Sequence, residues 1–319
     1  MLYSVIIPVF NRPQEVRELL QSLTQQSYKQ FEVLIIEDGS TKTCEDVVGE
    51  YINQLDLHYY FKENSGQGFS RNFGFKLAKG DYLVVFDSDC LVPEHYFQAV
   101  TNFLQKNKID FWGGPDKAHP EFSDIQKAIN FSMTSVLTTG GIRGREKHMG
   151  TYHPRSFNMG ISREAFESSG GYKITRMGED IEFSVRLGKL GFTSAFIKEA
   201  YVFHKRRTSL SEFFKQLRFF GRARINIGRF YPDEVKPVHW LPLAFLTGLL
   251  ISILLLLMGI SWLPAGVYMV YAFSLFLSGL LREKNIKVAF LGTLAAYIQL
   301  TAYALGFLSE SISRPENKP

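Results

Sequence analysis

Residues 66 to 90 read GQGFSRNFGFKLAKGDYLVVFDSDC. Glycines at 66 and 68 open a helical segment, a charged turn follows, and apolar Leu83 to Phe86 then run into two carboxylates, Asp87 and Asp89. A helix leading into a continuous apolar strand is the unit of a parallel sheet, whose strands are covered on both faces. Residues i and i+2 share a face within a strand, but at a frayed end the chain turns and both carboxylates can converge. Two negative charges brought together raise at least one pKa or need a counter-charge. A bound cation and a solvated turn both meet that demand.

Toward the amino terminus the same alternation repeats. LYSVIIPV (2–9) is a strand buried on both faces. Asn11 offers an N-cap, Pro13 falls in the first turn, and Val16, Leu19, Leu20 and Leu23 mark one helical face. FEVLIIE (31–37) is the next strand, DGS turns the chain into a helix near 43–54, and LHYYF (57–61) is a third short strand. This order predicts an α/β fold with a mostly parallel, Rossmann-like sheet and right-handed crossovers. Ligands of such sheets bind outside the carboxyl ends of the strands. Asn11, Asp38, Asp87 and Asp89 all fall at such ends, so they are expected to share one rim. The opening MLYSVIIPVF is too short to span a membrane and lacks a basic leader or a small-residue cleavage site, so it does not read as a signal peptide. Cys44 and Cys90 form no metal or disulfide pattern, and free thiols suit a reducing cytoplasm.

Toward the carboxyl terminus the composition changes. No Asp, Glu, Lys or Arg occurs from Pro237 to Leu281 or from Val288 to Ser309. A crossing helix needs about 20 apolar residues, so three transmembrane helices are expected, at 240–259, 263–281 and 288–308. Between Lys205 and Lys236 nine basic residues face three acids, and the loop REKNIK (282–287) has three bases and one acid. Positive charge stays on the cytoplasmic side. The preceding domain and the 282–287 loop are therefore expected inside, the loop around Ser261 outside, and the tail after Leu308 outside. The segment 211–230 sets Phe213, Leu217, Phe220 and Ile227 along one face among arginines, as in a helix lying in the membrane interface or docked on the catalytic domain. The expected organisation is a domain over 1–210, a basic amphipathic segment over 211–236, three membrane helices over 237–309 and a polar tail over 310–319.

Six blocks carry a family resemblance: SVIIPVFNR (4–12), VLIIEDGS (33–40), the stretch 66–90, FNMGISREAFESSGGY (157–172), GEDIEFSVRLGKLGF (178–192) and VFHKRRTSLSEFFKQ (202–216). Together they resemble a family 2 glycosyltransferase with the GT-A nucleotide-sugar-binding fold, over about the first 230 residues. The resemblance implies that Asp87 and Asp89 match the DxD motif and hold a divalent metal, Mn²⁺ or Mg²⁺, against the donor diphosphate. Both ions favour carboxylate and phosphate oxygen. Asp89 is the expected direct ligand, Asp87 a ligand or a ribose contact, and His204 a further metal ligand. Asp38 is expected to face the nucleotide base or to cap the helix after it, with Pro8, Val9 and Phe10 lining the base pocket and Asn11 and Gly68 beside it. Arg71 supplies a planar cation for phosphate or ribose.

In GED (178–180), the resemblance makes Asp180 the general base of an inverting transfer and Glu179 its support; a helix-terminal acid is the plainer alternative. Gln216 is followed three residues later by Phe219 and not arginine, so the QxxRW signature of processive synthases is absent. The expected enzyme is a non-processive, hexosyltransferase-like protein of the plasma (inner) membrane with its catalytic domain in the cytoplasm. Its expected partners are a UDP- or GDP-sugar, a lipid-linked or saccharide acceptor and the membrane, and no nucleic acid. Transfer to a polyprenyl phosphate, polymer synthesis and a catalytically silent binding protein are the alternatives. Residues 112–178 are expected to build the acceptor surface, with GGIRGREKHMG (140–150) closing over donor.

Overall fold

A computed structural model describes residues 1–119, 121–139 and 152–313. In chain order the first elements are β1 (Tyr3–Val9), α1 (Pro13–Thr24), β2 (Phe31–Asp38), α2 (Glu45–Tyr51), β3 (Asp56–Lys62), α3 (Gln67–Leu77), β4 (Tyr82–Phe86), β5 (Cys90–Leu91) and α4 (Tyr96–Leu104). Next come β6 (Phe111–Gly113), β7 (Asp116–Lys117), α5 (Asp124–Thr134), α6 (Val136–Thr139), β8 (Asn158–Ser162), α7 (Arg163–Ser169), α8 (Glu179–Lys189), β9 (Ser194–Phe196) and β10 (Val202–His204). The chain ends in four longer helices, α9 (Leu210–Phe230), α10 (Leu241–Leu257), α11 (Leu263–Glu283) and α12 (Ile286–Ser311). The described residues fall into two compact units, 1–119 with 152–204, and 121–139 with 205–313.

In the first unit a seven-stranded sheet has the order β3-β2-β1-β4-β8-β6-β9. Strands β3, β2, β1 and β4 are parallel, and only β8 runs against its neighbours. Alternate side chains divide between two cores, as the period of a strand requires. Val5, Ile7, Val33, Ile35 and Val84 pack with α1 and α4, whereas Ile6, Leu34, Ile36, Leu83 and Val85 pack with Phe75 of α3 and Phe183 of α8. The α1 stripe of Val16, Leu19, Leu20 and Leu23 is fully buried, as its spacing predicts. A separate small sheet orders β5-β10-β7.

Two local expectations change. Asn11 does not cap α1: the cap position is Arg12, with no side-chain cap, and Asn11 adopts φ 56°. The second helix is shorter than 43–54, because only Val47 and Val48 are buried along it and the amides of Gln54 and Leu55 close a turn on the Tyr51 carbonyl.

In the second unit α9 and α12 lie side by side. A Cβ on Gly306 would come within 1.9 Å of the Arg218 carbonyl, and one on Gly221 within 2.1 Å of the Tyr303 carbonyl, so both positions admit only glycine at this spacing. Phe213 and Leu217 of α9 join Ile129 and Met133 of α5 and Ala295 and Ala302 of α12 in one core. The α9 face expected to meet the membrane or the catalytic domain is thus covered by helices of its own unit. Residues 121–139, expected within the catalytic domain, belong to this unit for the same reason: Phe131 is buried beside Leu275 and Ala296. Three helical stretches are long and apolar enough to cross a membrane, Pro237–Leu257, Leu263–Glu283 and Ile286–Ser311.

Candidate active site

β4 stops at Phe86, and a turn closed by the Cys90 amide on the Asp87 carbonyl (3.1 Å) leads into β5. β5 pairs antiparallel with β10 so that His204 stands opposite Cys90. That register brings His204 Nε2 to 3.1 Å from Asp89 Oδ1. The imidazole stacks on Phe157, with centroids 5.0 Å apart. Arg12 Nη1 donates to the other oxygen of Asp89 at 2.8 Å. Asn11 sets up that contact, since its amide donates to Ser40 Oγ (2.7 Å) and its Oδ1 accepts from the Thr41 and Lys42 amides (2.9 and 2.8 Å). The two turns after β1 and β2 are thereby tied together. Arg12 was not among the site residues expected from sequence; its place next to Asn11 in the FNR block was the only signal.

The ligand atoms of Asp89, Cys90 and His204 all lie within 4.8 Å of one another. Burial pushes the Cys90 thiol well above its ordinary value, with Asp89 adding to the effect, which disfavours the thiolate that coordination needs. A carboxylate and an imidazole remain as donors, a set that suits Mn²⁺. Asp87 is not in this group: its Oδ1 accepts from Arg71 Nη2 at 2.8 Å. The turn between Asp87 and Asp89 thus gives the two carboxylates different partners, Arg71 for Asp87 and Arg12 with His204 for Asp89.

Arg71 is the hub of the second half of the site. It sits fully buried on the first turns of α3 and is not a surface cation. Besides Asp87 it donates through Nη1 to Glu179 Oε1 (3.1 Å), and its guanidinium lies 5.4 Å from the centre of the Tyr172 ring. Burial opposes its charge, but Tyr172, Asp87 and Glu179 outweigh that and hold it firmly protonated. Gln67 Nε2 also donates to Glu179. Burial raises the Glu179 carboxyl above its ordinary value, Asp180 adds to the rise, and Arg71 opposes both. Gly68 allows α3 to start where it does, because its amide donates to the Thr175 carbonyl (3.1 Å) and a Cβ would meet the Ile174 carbonyl at 2.5 Å. Asp180, at the start of α8, is part-exposed, with Arg155 Nη1 3.4 Å away. Arg71 therefore couples the DSD turn to the GED turn.

Asp38 is almost fully buried at the end of β2. Its oxygens accept from Lys62 Nζ, from the Ser65 amide (2.9 Å) and from the Gly66 amide (2.9 Å). It caps the approach to α3, and not α2 as the DGS turn suggests. Pro8 is part-buried, Gly68 is buried and the Phe10 ring is half-exposed. The stretch 140–150 lies outside the described residues.

The fold has known relatives. A mannosyltransferase of Pyrobaculum calidifontis, solved with GDP-Man and Mn²⁺, superposes with a TM-score of 0.67 at 17% identity, covering 96% of this chain and 86% of that one. The sequence model of glycosyl transferase family 2 matches residues 4–170. The chain belongs to glycosyl transferase family 2. A glycosyltransferase of Haemophilus influenzae is 31% identical over 223 residues, which cover 66% of this chain and 71% of that protein. A Rickettsia felis glycosyltransferase is 36% identical over 108 residues, 34% of this chain, and the match spans only 18% of that protein's length.

Proposed function

We propose that the protein transfers one sugar from a nucleotide-sugar donor to an acceptor hydroxyl, with inversion at the anomeric carbon, at the cytoplasmic face of a membrane. The observation that carries this reading is the single guanidinium of Arg71 bridging Asp87 and Glu179, which sets the DSD turn beside the GED turn. The bound GDP-Man and Mn²⁺ of the structural neighbour support the donor class and the metal. Asp89 Oδ1 and His204 Nε2 would hold that metal. When bound, it would neutralise charge on the leaving diphosphate.

The chain's own groups would do the rest. Arg12 and Arg71 offer positive charge on the donor side of the rim, and the Phe10 ring offers a face for the base. Asp180 is the acid of the GED pair that reaches solvent, which supports it as the group that meets the acceptor. As the acceptor oxygen bonds to the anomeric carbon, the carbon–oxygen bond to the diphosphate breaks, and Asp180 takes the hydroxyl proton. Glu179, buried and bonded to Gln67 and Arg71, positions the pair and takes no proton from substrate. The basic stretch from Lys205 to Lys236 and the apolar helices support a membrane location, and with it a lipid-linked saccharide as acceptor.

Asp180→Asn tests the assignment. The amide keeps the size and one oxygen of the carboxylate, so nucleotide affinity by calorimetry should hold while transfer falls on the order of 10²- to 10⁴-fold. Near-normal transfer would exclude Asp180 as the base. If it were only a helix-terminal acid, the change would cost about 0.3–1 kcal/mol of stability and leave turnover intact.

A further inference from the structure

α12 has the length and composition of a crossing helix, yet its neighbours are those of a helix that stays on one side of a bilayer. α9 runs beside it in the same direction: Gly221 meets Tyr303, Arg222 Nε donates to Glu310 Oε2 (2.9 Å), and Arg229 donates to Glu310 Oε1 (2.7 Å) and to the Ser313 carbonyl (3.3 Å). Along that length α9 carries Lys215, Arg218, Arg222, Arg224 and Arg229. Each such cation near the middle of a crossing helix costs about 2.5–3.5 kcal/mol. A helix so charged cannot accompany α12 through the hydrocarbon.

The ends of α12 give the same answer. α10 and α11 are successive apolar helices joined by the short 258–262 turn, and they touch through Phe245, whose ring lies 5.1 Å from Tyr268 and 5.8 Å from Tyr271. The start of α10 and the end of α11 therefore share one face of the bilayer, and α12 begins directly after α11 through Lys284 and Asn285. Phe307, near the other end of α12, packs edge-on against Trp240 at the mouth of α10, with centroids 4.8 Å apart. If α12 crossed upright, Phe307 would lie about 30 Å from that face, at 1.5 Å of rise per residue.

The exposed side chains complete the picture. Ile286, Phe290, Leu294, Leu305, Leu308 and Ile312 are exposed, while Val288, Gly292, Gln299 and Glu310 are buried. At 3.6 residues per turn the exposed six fall within an arc of roughly 100°, and the buried four lie opposite. An apolar stripe on one side with protein packed on the opposite side leaves α12 a single face for lipid, as a helix lying in the plane of the interface has.

We infer that only α10 and α11 cross the membrane, and that α12 lies along the face from which α10 enters, its Ile286–Ile312 stripe in the acyl region of that leaflet. The stripe continues the apolar surface of α10 and α11, of which 6% and 11% is buried within the protein. Ser313 then sits on the side of the 282–287 loop, opposite to the placement expected from three crossings. This inference does not depend on the transfer reaction. Single-cysteine variants of the full chain in sealed vesicles of known orientation test it with a membrane-impermeant maleimide, since Cys44 and Cys90 are buried. Ser313→Cys and Lys284→Cys should label from one side and Ser261→Cys only from the other. Labelling of Ser313→Cys together with Ser261→Cys would mean that α12 crosses. A peptide tag after Pro319, read by protease protection, decides the same question without a reactive thiol: cleavage from the Lys284 side supports the inference, cleavage from the Ser261 side overturns it.

Discussion

Burial works against ionisation of Asp38, but Lys62, the Ser65 amide and the Ser70 hydroxyl outweigh it and hold its carboxyl below the ordinary 3.8. A lowered carboxyl stabilises the fold fully above its unfolded value and loses that contribution as the pH falls through the folded one. Lys62→Met should therefore cost about 1–3 kcal/mol near pH 7, as for a hydrogen bond to a charged group, and the difference from the parent should fade in strong acid. Thermal unfolding of both proteins across that range checks the sign; an undiminished difference in acid would mean that Lys62 acts by packing alone. At this scale the sequence was informative for Asp89 and Glu179, whose blocks mark them. Arg12 had only its place beside Asn11 to mark it, and it reaches Asp89 from a turn in which Asn11 takes a positive φ that no spacing rule encodes.

The first turn of α3 sets the geometry between the two acid turns. Gly68→Ala would drive a methyl group into the Ile174 carbonyl, so the helix start must shift and carry Gln67 and Arg71 off Glu179 and Asp87. We expect a stability loss of about 1–3 kcal/mol, typical of overpacking, together with weaker nucleotide binding by calorimetry. Unchanged affinity would show that the donor does not depend on how Arg71 is held. Long periodic elements such as α1, β1 and β2 were legible because a stripe or a continuous apolar run fixes them. β5 and β7 were not, since strands of two residues carry no period, so the meeting of His204 with Asp89 was expected from the family resemblance and not from any strand pairing. Arg71 was expected as a cation for phosphate or ribose, but its burial was not legible, because arginine is rarely buried unless paired and its two partners lie 16 and 108 positions away.

At the scale of the whole chain, composition announced the apolar helices but could not assign α5, whose Ile129, Phe131 and Met133 suit any amphipathic helix. What decides the matter is late sequence: Phe131 is covered by Leu275, by Ala296 and by Gly292, where a Cβ would come within 2.8 Å of its ring. That arrangement imposes a schedule on synthesis. At roughly 5–20 residues per second, the ribosome completes the cover about 10–30 s after it has made Phe131. Throughout that interval α5 must remain exposed, shelter against a chaperone or rest on the lipid surface. Nascent chains arrested near residue 260 should thus be cut by protease within 121–139, whereas the released full-length chain should resist. Equal resistance in the arrested chain would mean that an earlier segment lends α5 a provisional cover, and the delay between α5 and its permanent partners would then carry no risk.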